Sequence, residues 1–235
     1  MYNLKYLEQI FSDNLVIAMN NVKNSLDRII RWFKANSSQT IECLNPPASD
    51  REIEQVESKT DLKLPDAFKE LLKTFNGENG QLNLALFGDG NLMLSCDEIV
   101  NQFELDKKIT QSIYNPEMET LSFWKDRVHN KIIFVKGSVK PMTSHQKWLP
   151  FTCMNGDVYR YLDFDPAPGG KMGQVIEVDP ESCSYHVIAD SIEEFLENYA
   201  VQLENGEFSA GDDGYVEANN HSNEMNWGIP QWLKE

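Results

Sequence analysis

Cysteine is scarce and scattered in this chain. Its 235 residues hold four, Cys43, Cys96, Cys153 and Cys183, and no two stand at C-x-x-C spacing. That spacing argues against a zinc ribbon, and a chain of this size needs no disulfide framework, so reduced thiols in a cytoplasmic protein are the simplest expectation. Long apolar runs are missing too. The opening stretch MYNLKYLEQIFSDNLVIAMNN carries Lys5, Glu8 and Asp13, and its longest apolar run is Leu15 to Met19. That is too short for a signal-peptide core or a membrane span.

The motifs of catalysis are equally thin. No G-x-S-x-G elbow occurs, and the glycine-rich stretches GDGN (88–91) and PGGKMG (168–173) fit neither a phosphate-cradling nor a dinucleotide-binding pattern. The segment GDDGYVE (211–217) lacks the ligand spacing of a calcium loop. The four histidines, His129, His145, His186 and His221, stand apart from one another. Basic patches interleaved with aromatics are absent. No enzyme activity, cofactor, metal, nucleic acid or membrane partner is expected.

What the chain does have is negative charge. The formal net charge is −16, and from Met172 to Glu235 fourteen Asp and Glu face a single basic residue, Lys234. Such a surface repels phosphate backbones and anionic lipids and attracts basic partners at long range.

Apolar spacing predicts helices over the first 36 residues, with Val22, Leu26, Ile29, Ile30 and Phe33 on one stripe. Three S-x-x-E capping boxes, Ser49/Glu52, Ser95/Glu98 and Ser191/Glu194, announce further helices. Another is read in LPDAFKELLKTFNG, with Pro65 at its first position and Asn76-Gly77 at its stop. Two short strands are expected about the turn Gly88-Asp89-Gly90-Asn91. Residues 107–128 give a mixed signal, with Phe123 and Trp124 in a half-buried helix or loop.

From Lys131 the period becomes two. KIIFVKG, WLPFTCM, DVYRYLDF, GQVIEV and SYHVIA read as strands, and Asn155-Gly156 is a strong hairpin signal. Asp163 and Asp165, two apart in a strand, would point to one side as paired carboxylates. With no histidine or third acid nearby, a structural or surface role outweighs metal or acid–base chemistry. The tail from Glu207 is expected to be loosely ordered, with Tyr215, Trp227 and Trp232 docked on the body.

Three blocks in order, LPDAFKELLKTFNG, then WLPF…GDVYRYLDFDP…GGKMGQVIEV, then VIADSIEEFLENY, resemble the SUKH superfamily. This is the group of fungal cell-wall-assembly and killer-toxin-resistance regulators and of many bacterial immunity proteins. The resemblance implies an α+β domain, a mostly antiparallel twisted sheet flanked by helices, over residues 41–206. Residues 1–40 would form a helical extension and 207–235 an acidic tail. It also implies binding in place of catalysis. The first expectation is an immunity protein that neutralises a cognate basic toxin domain, with a non-catalytic scaffold of cell-wall or stress signalling as the alternative. The expected partner surface is the strand region 157–181 with the helix from Ser191, through Asp157, Tyr159, Asp163, Asp165, Glu177, Asp179, Glu181, Glu193 and Glu197.

Overall fold

The computed structural model of the protein describes residues 21–80, 84–113, 115, 117, 120–220 and 227–234. Helices α1 (21–36), α2 (Ser38–Glu42), α3 (Asp50–Thr60) and α4 (Asp66–Thr74) precede the first strand, β1 (Leu92–Met93). Then follow α5 (Cys96–Ile113), α6 (Leu121–His129), β2 (Phe134–Lys136), β3 (Trp148–Met154), β4 (Val158–Asp163), β5 (Gln174–Asp179) and β6 (Ser184–Ala189). Helix α7 (Ile192–Glu204), the hairpin β7 (Phe208–Ala210) and β8 (Val216–Ala218), and a 3-10 turn at Gln231–Leu233 close the chain.

Six strands form one sheet in the order β1-β3-β4-β5-β6-β2, antiparallel throughout except for the parallel pair β6–β2. This is the α+β architecture expected. The pleat sorts side chains onto two faces. Leu149, Leu162 and Val175 face a core shared with α1, α3, α4 and α7, whereas Trp148, Tyr161, Ile176 and Tyr185 face a smaller aromatic core closed by Trp124 and Trp232. The stripe Val22, Leu26, Ile29 and Phe33 of α1 is buried in the first core. Arg28 then clamps α1 to α7, reaching Glu197 at 2.7 Å and Glu204 at 2.6 Å.

Local signals account for much of this. The Ser49/Glu52 and Ser95/Glu98 boxes are both formed. At α7, Ser191 Oγ accepts from Glu194 N, but the Glu194 carboxylate accepts from Asp190 N, one residue upstream of the expected partner. Asn155 and Gly156 both take positive φ, at 55° and 88°, as a tight right-twisting hairpin demands. Pro150 sits beside a register shift in β3, where no ladder donor is required of it.

The helix stop Asn76-Gly77 does more than end α4. Asn76 Nδ2 donates to Glu52 and its Oδ1 accepts from Cys96 N at 2.8 Å, so one amide ties the starts of α3 and α5 together. Gly77 (φ 74°) lies so close that a Cβ would meet Ser95 N at 2.3 Å, which only glycine allows. Glu78 follows, buried, its carboxylate accepting from Leu86 N and Met93 N. Those two bonds take the place of a strand ladder.

Several expectations are corrected. Of the two strands expected about 88–91, only Leu92–Met93 forms. Leu84–Phe87 is a buried turn segment whose backbone is served by Glu78, and 81–83 lie outside the described residues. Residues 107–128 resolve into the end of α5 and most of α6, the latter capped by Thr120. The start of the tail is a hairpin, pinned where Asp89 accepts from Ala218 N, and Trp232 is buried with its Nε1 donating to Gly137 O. The helical reading of residues 1–20 lies outside the described residues. Among the described residues no helix is long and apolar enough to cross a membrane.

Burial pushes the Glu78 carboxyl up to about 8 against the pull of its two backbone donors. Its folded value thus lies above the unfolded one, so its contribution to stability is full below about pH 4.5 and fades as pH rises towards 8. Glu78→Gln should lower stability by losing one backbone bond, yet flatten the decline between pH 5 and 8 by up to about 1.4 kcal/mol per pH unit. Urea unfolding of both proteins across that range checks it; parallel curves would mean Glu78 ionises normally inside the fold.

Candidate binding cleft

Register builds the site. Thr152 stands opposite Arg160, Arg160 opposite Glu177, Glu177 opposite His186, and His186 opposite Lys136. One polar row therefore crosses five strands on the face that α7 covers. Each member is a polar residue among the apolar residues of its own strand, and pairing alone brings them into line.

Above this row α7 and the β7 hairpin leave a cleft of about 490 Å³. Its floor holds Arg160, Glu177 and His186, its walls are Phe87, Ile188, Phe195 and Phe208, and Tyr199 faces it from α7. Asn198, Val201 and Glu207 form the exposed rim.

Arg160 Nε donates to Glu177 Oε2 at 2.9 Å, and the guanidinium lies 5.6 Å from the centre of the Phe195 ring. Burial pushes the Glu177 carboxyl up, but Arg160 and His186 outweigh it and hold it below the usual carboxylate range. Burial lowers His186, opposed by Glu177, which favours a neutral imidazole at pH 7. Its ring packs 5.2 Å from that of Trp227, over which Lys136 also lies.

Two buried hydroxyls of this region, Tyr199 and Thr152, and His186 Nδ1 have no hydrogen-bond partner among the described residues. A native interior normally satisfies such groups. The cleft can therefore offer hydrogen-bond donors within apolar walls, which is the makeup of a recognition site. Among the described residues no three His, Cys, Asp or Glu are placed to hold a metal.

The nine residues expected to bind a partner do not share one surface. Glu177 alone lines the cleft. Asp163 is corrected outright: it is 0% exposed, accepting from Trp148 Nε1 at 3.1 Å, Gln174 Nε2 at 2.9 Å and Asp165 N at 2.9 Å. It cannot border a surface because it is the knot joining β3, β4 and β5. Asp165 is half-exposed and pairs with Lys140 at 2.5 Å and with His145 at 3.3 Å. Tyr159 turns to the other face of the sheet, its hydroxyl donating to Gln102. Asp157 and Asp179 bond backbone N–H groups at the ends of β4 and β5, with Glu181 exposed in the turn beyond. On α7, Glu193 is half-buried and Glu197 is occupied by Arg28 and Ser25.

Sequence reading missed Arg160, His186 and Tyr199. The available signal was a charged or polar residue at the centre of each of three apolar strands, but which strands adjoin was not legible.

A family model described as "SMI1 / KNR4 family (SUKH-1)" matches residues 47–198. The chain is 28% identical over 196 residues to the "Cell wall biosynthesis/cell cycle regulator smi1" of Schizosaccharomyces pombe, covering 82% of this chain and 38% of that protein. It is 23% identical to the "Glucan synthesis regulatory protein" of Neurospora crassa, with 82% and 40% covered. It is 21% identical to the "Cell wall assembly regulator SMI1" of Saccharomyces cerevisiae, with 77% and 40% covered. The chain spans about two-fifths of the length of these relatives.

The two aspartates separate by experiment. Asp163→Asn turns an amide N–H₂ towards the Gln174 donor and should cost about 1–3 kcal/mol of unfolding free energy. Asp165→Asn breaks only a half-exposed ion pair and should cost less than about 1 kcal/mol. Denaturant titration of the pair measures both; equal losses would remove Asp163 from its structural role.

Proposed function

The chain belongs to the SMI1/KNR4 family (SUKH-1), and from that premise we propose that it is a non-catalytic regulatory domain that binds a protein partner in the control of cell-wall synthesis. The observation that carries this reading is the cleft itself. It offers hydrogen-bond donors and aromatic walls, and its one histidine lies beside a carboxylate already held by Arg160, with no Ser or Cys nucleophile lining it. The names of the three relatives, all regulators, support the same reading, and they favour the scaffold alternative over the immunity role expected first.

The immunity reading keeps one observation of its own, the acid-rich last quarter of a chain of net charge −16. An acidic inhibitor gains fast association with a basic toxin through charge steering, and salt weakens it. On either reading the protein works in the cytoplasm.

Affinity capture separates them. The tagged chain and a Val201→Arg variant at the exposed cleft rim are used as baits in lysate of the source organism, with washes at low and high salt. Wall-synthesis or signalling proteins held by the wild type and at least tenfold depleted by Val201→Arg are the expected result. A single basic toxin domain, shed by salt, would replace the regulatory reading with immunity. Wall regulators captured equally by both baits would place the contact elsewhere than the cleft.

A further inference from the structure

Arg160 is only partly used. Its guanidinium offers five N–H donors in a planar fork, yet among the described residues it makes one hydrogen bond, through Nε to Glu177. The Nη edge carries no recorded partner. Elsewhere in this chain the same side chain is saturated differently: Arg28 holds two carboxylates at once, Glu197 at 2.7 Å and Glu204 at 2.6 Å.

The surroundings of Arg160 point the same way. Tyr199 is 4% exposed, lines the cleft, and its hydroxyl has no partner among the described residues. Thr152, which stands opposite Arg160 in the sheet, is in the same condition. Leaving a buried hydroxyl unpaired costs stability. Of the two, Tyr199 lines the cleft together with Arg160, and Thr152 does not.

Charge narrows the ligand. Arg160 is the one Arg or Lys among the lining residues, and Glu177 and the rim residue Glu207 oppose it, so the cleft disfavours the double charge of a phosphate monoester more than a single negative charge. The walls, Phe87, Phe195, Phe208 and Ile188, ask for an apolar group beside that charge. A volume of about 490 Å³ admits a few side chains and no folded domain.

We propose that this cleft is a receptor for a carboxylate carried on a ligand with an adjoining apolar group, seated on the free edge of Arg160 and the hydroxyl of Tyr199. The carboxylate can belong to an acidic side chain of a partner's peptide segment or to a small free acid. The chemistry is shared, and the experiment separates the sources.

Three probes are titrated into the ¹⁵N-labelled full chain: 3-phenylpropionate, its neutral amide 3-phenylpropanamide, and the blocked dipeptide acetyl-Phe-Glu-amide. The two carboxylates should shift the Arg160 Nε–H and Trp227 indole signals and saturate, and the amide should bind at least tenfold more weakly. Tighter binding of the dipeptide identifies a peptide source, and tighter binding of 3-phenylpropionate a small acid. Tyr199→Phe should weaken both carboxylates about five- to tenfold while holding or raising the unfolding midpoint, since it removes an unpaired buried hydroxyl. Arg160→Lys keeps the charge and loses the fork, and should weaken them further. Equal binding of carboxylate and amide, shifts confined to other residues, or wild-type affinity in both variants would overturn the proposal. The titration uses no partner from the cell, so its failure leaves the regulatory reading standing, and a failed capture experiment leaves the chemistry of the cleft standing.

Discussion

The register of β4 against β5 governs what every other part of this protein can do. It is pinned at one end by Asp163 and Gln174, which stand opposite each other and share a side-chain hydrogen bond of 2.9 Å. Near the other end Arg160 and Glu177 are opposite and joined at 2.9 Å. A slip of one residue between β4 and β5 would put Arg160 and Glu177 on opposite faces of the sheet and bring Tyr161 or Ile176 beneath α7. Both cores and the cleft would be lost together. The buried carboxylate of Asp163 is thus a structural part of high consequence, and the Trp148 indole that donates to it brings β3 into the same knot.

The helical side depends on a comparable economy of residues. Asn76, Gly77 and Glu78 are consecutive, and each satisfies backbone groups that would otherwise be buried unpaired. Asn76 serves the start of α5 while holding the capping glutamate of α3, Gly77 permits the close approach to Ser95, and Glu78 supplies acceptors for Leu86 and Met93. A motif that identifies the family therefore has a wholly structural explanation in this chain. That explanation covers the first shared block alone, because Arg160, Glu177, Phe195 and Tyr199 of the cleft lie in the other two.

The cleft behaves in the opposite way. Among the described residues five buried side-chain atoms lack a hydrogen-bond partner, and two of them, the Tyr199 hydroxyl and His186 Nδ1, belong to residues that line it. Stability given up at a concave, aromatic-walled surface is the usual mark of a place arranged for something else to bind. Its frame is drawn from distant parts of the chain, with Phe87 from the turn before β1, Tyr199 from α7 and Phe208 from the β7 hairpin.

Much of this protein was legible in order along the chain. Capping boxes placed α3, α5 and α7, period-two alternation placed β3 to β6, and Asn155-Gly156 placed the hairpin, because each is decided by neighbours within a few residues. The family blocks supplied the α+β fold. Local information failed where the backbone is served from afar: Leu84–Phe87 looks like a strand but is capped by Glu78, and Asp163 looks like an exposed acid but is enclosed by three donors. It failed also at the cleft, since Arg160, Glu177 and His186 lie on three different strands. Composition and spacing by themselves determined which segments are helices and strands and that no familiar catalytic motif is present. Only the tertiary structure decided which polar residues meet, because strand order and register are set by the packing of two cores and not by any one segment.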